Sequence, residues 1–89
     1  MDFRWNDWNE EHVEEHGVSP EEAERVVENA RSPFPRAIEE DKRLVWGRGR
    51  GGRLLQVIFL PEEDDSAYII HARPLTEREK GRFRRIMGR

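Results

Sequence analysis

Apolar and polar positions along the chain change period several times, and each change marks an element. Phe3-Arg4-Trp5 alternates and predicts a short strand or extended entry. From about Asp7 to Glu15 the spacing is helical, with Trp8, His12 and Val13 falling on one face and Asn6 or Asp7 standing where an N-cap belongs. Gly17 predicts the stop, because glycine enters the left-handed region without a steric penalty. Ser19-Pro20-Glu21-Glu22 then combines a capping serine, proline at the first helical position and glutamate at the third. It opens a helix over roughly 20–30 whose stripe is Ala23, Val26, Val27 and Ala30, ended by Ser32-Pro33.

The period then shortens to two. Ala37 and Ile38 lie in an extended stretch with Glu39-Glu40-Asp41 as a turn, 44–48 makes a strand, 49–52 a glycine connection and 54–60 the partner strand of a hairpin. The run Leu54 to Leu60 is apolar on both faces, which predicts a central strand covered on both sides. A further strand spans Ala67 to Ala72. Thr76-Glu77-Arg78-Glu79 opens a last helix with a second capping box, running to about Met87 with Phe83, Ile86 and Met87 on one side. The expected architecture is α+β: a short N-terminal strand, two helices, a mainly antiparallel sheet of three to four strands and a C-terminal helix. The helices are expected mainly on one face of the sheet, with the other face more open.

Composition narrows the picture. Eighty-nine residues suit one domain with a modest core. Charged residues reach 39% against 35% hydrophobic, but three Trp, four Phe and two compact apolar runs argue for a folded core rather than disorder. There is no cysteine, which excludes disulfides and cysteine-based zinc sites. No stretch resembles a signal peptide or a membrane span, so a cytoplasmic location without membrane association is the expectation.

The net charge of −3 hides a gradient. Residues 1–30 hold ten acids and two bases, residues 31–60 hold seven bases and three acids, and from His71 to the end seven bases face two acids. Bases segregated in this way can form a face that attracts phosphates, or can neutralise the acidic helices within the fold.

The candidate chemistry sits mostly in the basic part. Gly47-Arg48-Gly49-Arg50-Gly51-Gly52-Arg53 is not a phosphate-binding P-loop, since no Gly-Lys-Ser/Thr follows and the next element is a strand. It reads as a hairpin turn whose Arg48, Arg50 and Arg53 are shaped for backbone phosphates. His12 and His16 lie one helical turn apart, a spacing that can ligate a metal, but no third ligand is spaced nearby and no cofactor is expected. By strand alternation His71 faces the same side as Ile69 and Arg73, opposite to Ile70 and Ala72. A histidine with an arginine on one face can move a hydroxyl proton and steady a phosphorane, unless Arg73 is taken up by Glu79. Arg78, Arg82 and Arg85 form a stripe on the last helix, with Arg84 and Arg89 nearby. It is either an RNA-docking face or the solvated side of an amphipathic helix.

Taken together, the string resembles the BrnT family of toxins from bacterial type II toxin–antitoxin pairs. The resemblance rests on Phe3-x-Trp5-Asn6, His16-Gly17-Val18-Ser19 with Glu21-Glu22-Ala23, Gly52-Arg53-Leu54-Leu55, and Ala72-Arg73-x-x-Thr76-x-x-Glu79. It implies a RelE-like fold, a metal-independent ribonuclease that blocks translation, and neutralisation by a BrnA-like antitoxin that also binds operator DNA. It points to His16, Arg53 and Arg73 beside His71 as the catalytic set. The chain departs from the family pattern in three respects: Asn6 replaces an aspartate, Asn9 and Glu15 replace lysines of the first helix, and Phe83 replaces a tyrosine.

Overall fold

The computed structural model describes residues 1–88; Arg89 lies outside the described residues. Its elements are β1 (Phe3–Arg4), α1 (Asp7–Glu14), α2 (Pro20–Glu28), β2 (Arg36–Glu39), β3 (Lys42–Arg48), a 3₁₀ turn (Arg50–Gly52), β4 (Leu54–Pro61), β5 (Ala67–Pro74) and α3 (Glu77–Met87). The α+β layout is the expected one.

The two short N-terminal helices hold because their ends are closed and their apolar sides are covered. Asn6 caps α1 by accepting from the Asn9 N–H, while the Asn9 side chain accepts from the Asn6 N–H in return. Ser19 caps α2 through the Glu22 N–H, with Pro20 behind it. Eight or nine residues are too few for a stable isolated helix. Burial of Val13, Ala23, Val26 and Val27 supplies the rest, at about 1.5 kcal/mol or more for each fully covered valine.

The sheet has five strands in the order β1-β5-β4-β3-β2. The N-terminal strand joins it: β1 pairs parallel with β5 through Phe3↔Ala67 and Arg4↔Tyr68, while every other pairing is antiparallel. β4 is central, and Leu54, Leu55, Gln56, Val57 and Phe59 are buried, as its two-sided apolar pattern predicts.

The distribution of helices differs from expectation. Val45, Val57 and Ala72 lie in one cross-strand row, and α2 packs on their face, with Val26 close to Gly47. Trp46, Gln56 and Arg73 form the adjacent row on the opposite face. There α3 docks: Phe83 stacks with Phe34 at 6.3 Å, Phe34 meets Trp46 at 6.1 Å, and Arg82 lies over the Trp46 ring at 5.6 Å. Helices therefore cover both faces, because Trp46 points away from α2 and needs its own cover. What stays open is the part of the second face beyond α3, around the row Leu44, Ile58 and His71.

Candidate functional site

β5 does not alternate regularly. Its register slips between Ile58↔His71 and Phe59↔Ile69, leaving Ile70 as the extra residue of a β-bulge. Ile69 thereby turns into the core, where it is fully buried, instead of sharing a face with His71 as simple alternation predicts. Tyr68, paired with Leu60, comes onto the same face as His71 and Arg73. The bulge thus assembles a face that period-two reading cannot find.

Alongside it runs α1. Asn9, fully buried, donates to the carbonyls of Arg4 and Ile69 and ties the helix to both β1 and β5. The residues at i, i+4 and i+8 then follow β5 with their rings. Trp8 stacks on His12 at 4.2 Å and lies nearly parallel to Tyr68 at 6.5 Å, while His16 faces His71 with ring centroids 5.9 Å apart. Arg4, held by Glu62 through bonds of 2.6 to 3.0 Å, covers the Tyr68 ring at 3.9 Å. The Tyr68 hydroxyl accepts from Asn6 Nδ2.

His71 is half-buried, and its Nε2 is shielded from solvent with no hydrogen-bond partner among the described residues. Desolvation pulls its pKa below the ordinary histidine value, and the positive charges of Arg73, His16 and His12 act in the same direction. These effects favour the neutral ring over the imidazolium.

The arginines are arranged differently from the expected convergence of Arg53 and Arg73 on His71. Arg53 grips Glu22 of α2 with two parallel bonds, Nε to Oε2 at 2.9 Å and Nη2 to Oε1 at 2.7 Å, and also donates to the Gly17 carbonyl. Glu22, only 6% exposed, accepts from the Arg50 N–H as well, so the pair staples the hairpin loop to the start of α2. Arg53's bond to Gly17 brings it beside His16 in the chain, but its guanidinium is occupied by a carboxylate. The bonds from Arg53 hold the Glu22 carboxyl below its usual pKa.

Arg73 does share the face of His71, yet it is bound bidentately by Glu79 at 2.8 and 2.9 Å. Glu79 also accepts from Thr76 N–H in the capping box of α3, and its pKa falls to about 2, chiefly through the Arg73 bonds. Arg73 is thus taken up by Glu79, the pairing that competes with a phosphate-steadying role.

Of the remaining basic candidates, Arg48 donates to the Gly52 carbonyl at the loop, and the Arg50 side chain is exposed. Arg78, Arg82 and Arg85 are exposed on α3; Arg82 also borders a cavity of about 170 Å³ lined by Phe34, Arg36, Ile38, Leu44 and Trp46. That cavity opens on the same face as His71 but two strands away, since Leu44 reaches His71 only through Ile58. Among the described residues, no group of three or more His, Asp or Glu is placed to hold a metal ion, and no helix is long and apolar enough to cross a membrane.

Sequence reasoning passed over Trp8 and Tyr68 as site residues. The spacing 8, 12, 16 along α1 and the turn that follows it is a visible signal for a ring stripe; the Tyr68 position is not, because it depends on the bulge. Asn9 is buried and fully bonded where a lysine ammonium would lack compensation, and Phe83 is buried against Phe34. No protein-family model matches the chain, and neither does a curated protein or a solved structure.

Proposed function

We propose that this chain is a metal-independent ribonuclease of the toxin type, with His71 and His16 as its proton-transfer pair. The observation that carries the reading is the facing of two imidazoles at 5.9 Å, one of them half-buried on the open sheet face with a lowered pKa. RNA cleavage by transesterification needs a base to take the 2′-hydroxyl proton as that oxygen attacks phosphorus. It also needs an acid to protonate the departing 5′-oxygen. Neutral His71 serves as the base and His16 as the acid, giving a 2′,3′-cyclic phosphate and a free 5′-hydroxyl.

Arg73 and Arg53 act first as positioning residues in this scheme, since Glu79 and Glu22 hold them. Arg48, Arg50, Arg78, Arg82 and Arg85 supply positive charge for the RNA backbone. The resemblance to BrnT adds the biological setting: cytoplasmic action on RNA, growth arrest, and an antitoxin of the BrnA kind that forms a hetero-oligomer with the toxin. The test is direct. Purified protein incubated with single-stranded RNA in the presence of a chelator yields fragments ending in cyclic phosphate, and expression without a partner stops growth. Intact RNA and normal growth together sink the reading.

A second reading has a specific observation in its favour. The two arginines that family resemblance marks for catalysis are both neutralised by carboxylates, which suits a non-catalytic module that binds RNA or a partner protein. Such a module binds RNA with a steep salt dependence and no turnover.

A further inference from the structure

We infer that the exposed ring stack of Trp8, His12 and Tyr68 is a base-binding platform for single-stranded RNA that delivers a nucleotide to His71. The inference rests on the ribonuclease reading for its purpose, but on separate residues for its evidence.

Trp8 is 51% exposed, whereas its neighbours Asn9 and Val13 do the burying for α1. A single exposed indole needs no explanation, but one held in a stack with two other rings presents a rigid, amphipathic contact surface. Trp8 is held: His12 stacks on it from the next turn and Tyr68 flanks it from β5. Tyr68 is fixed in turn, since Arg4 covers its ring and Asn6 bonds its hydroxyl. Rigid aromatic faces beside a guanidinium are what unpaired bases stack on, whatever their identity.

Charge fixes the polarity of the bound strand. The outer side of α1 carries exposed Glu11, Glu14 and Glu15, so phosphates cannot run along it. Bases must point toward α1 and the backbone must lie over the open sheet face. There Arg36 stands in one row with Leu44, Ile58 and His71, roughly 14 Å from His71 across three strand spacings. Arg36 and Arg82 form no ion pair among the described residues, unlike Arg4, Arg53 and Arg73. A strand laid this way passes its sugar-phosphate over His71 while one base rests on Trp8.

The test uses the full chain with two probes of one sequence: a single-stranded RNA and its fully 2′-O-methylated, uncleavable counterpart. Trp8→Ala is expected to weaken binding of the methylated strand roughly tenfold or more, the loss typical of removing one base-stacking aromatic. It raises KM for the RNA with kcat little changed, and Trp8→Phe restores most of both. The indole fluorescence that wild type has and Trp8→Phe lacks is quenched by the methylated strand. If wild type cleaves RNA but Trp8→Ala binds and cleaves equally well, the platform is overturned while the ribonuclease reading stands. If the strand quenches Trp8 and is lost in Trp8→Ala, yet RNA is never cut, the platform stands and the ribonuclease reading falls. No binding of either probe overturns the platform outright.

Discussion

Tyr68 and His71 sit three positions apart in one strand and still share a face of the sheet, because Ile70 bulges out between the Ile69↔Phe59 and His71↔Ile58 pairs. Regular alternation would send one of them into the core. α1 is anchored upstream of the bulge, by Asn9 on the Ile69 carbonyl, whereas His71 lies downstream of it. The extra residue therefore sets where His71 stands against His16.

Deleting Ile70 should separate the two effects. Every remaining pair with β4 keeps its partner and every side chain keeps its face, so the protein stays folded, with unfolding free energy within about 1–2 kcal/mol of wild type. His71 stays opposite Ile58 but loses the local bend and twist that the bulge gives β5, which re-aims its ring against His16, and RNA cleavage drops by at least tenfold. Circular dichroism with denaturant titration reads the first outcome, and a cleavage assay the second. An unfolded deletion variant would show that the bulge serves packing instead.

His71 should set the acid limb of the pH–rate profile. Its pKa lies below the ordinary 6.5, so the neutral, proton-accepting form persists to lower pH than for a free histidine. The rise of kcat/KM is expected below pH 6.5, and His71→Gln should lower kcat by roughly 10²–10⁴-fold with the fold intact. A limb at or above pH 7 would assign the base to another group.

Glu79 makes an acid-labile contribution to stability. Its folded pKa is about 2 against a usual 4.5, so the folded state holds the carboxylate more tightly than the unfolded chain does. The stabilisation is fully present above pH 4.5 and is lost as pH falls from 4.5 toward 2, and the shift corresponds to about 3 kcal/mol. Glu79→Gln keeps an acceptor for the Thr76 N–H but not the bidentate carboxylate for Arg73. It should lose most of that amount at pH 7 and show a flatter decline in acid. Denaturant midpoints measured at several pH values decide it.

The Glu22–Arg53 pair should behave as a staple. Removing Arg53 leaves a carboxylate that is 6% exposed without its cation, at a cost of roughly 2–3 kcal/mol, below that of a fully buried pair because Arg53 is itself 42% exposed. Adding Glu22→Gln to Arg53→Ala should recover part of the loss, since no buried charge is then left alone. If the double variant is as unstable as the sum of the singles, the two residues are not coupled.

How much of this was legible beforehand follows from the range of the interactions. The caps at Ser19 and Thr76 and the glycine turn are local, and they placed α2, α3 and the hairpin within a residue or two. The side of the sheet that α3 covers depends on Trp46 and Phe34 meeting Phe83 across the fold, which no local period encodes. The site divides the same way. His16, His71 and Arg73 stood out as residue types, but the capture of Arg53 by Glu22 spans 31 positions and the approach of Tyr68 to Trp8 needs the bulge.

Asn9 offers the sharpest test of how α1 is held. Its Oδ1 accepts from the Asn6 N–H, and its Nδ2 donates to the Arg4 and Ile69 carbonyls, all in a fully buried position. Asn9→Ala strands these groups and should cost roughly 2–4 kcal/mol, and it should reduce cleavage by loosening α1 from β5. Asn9→Asp keeps the acceptor but sets a buried carboxylate against two carbonyl oxygens. Burial and those oxygens favour its protonated form, which can donate one of the missing bonds, so the folded-state pKa of the introduced carboxyl rises. The damage from Asn9→Asp should therefore shrink as pH falls from 7 toward 4, opposite in sign to the Glu79 effect. Stability curves for wild type and Asn9→Asp that run parallel over that interval would show that the buried amide does not hold α1 through these two carbonyls.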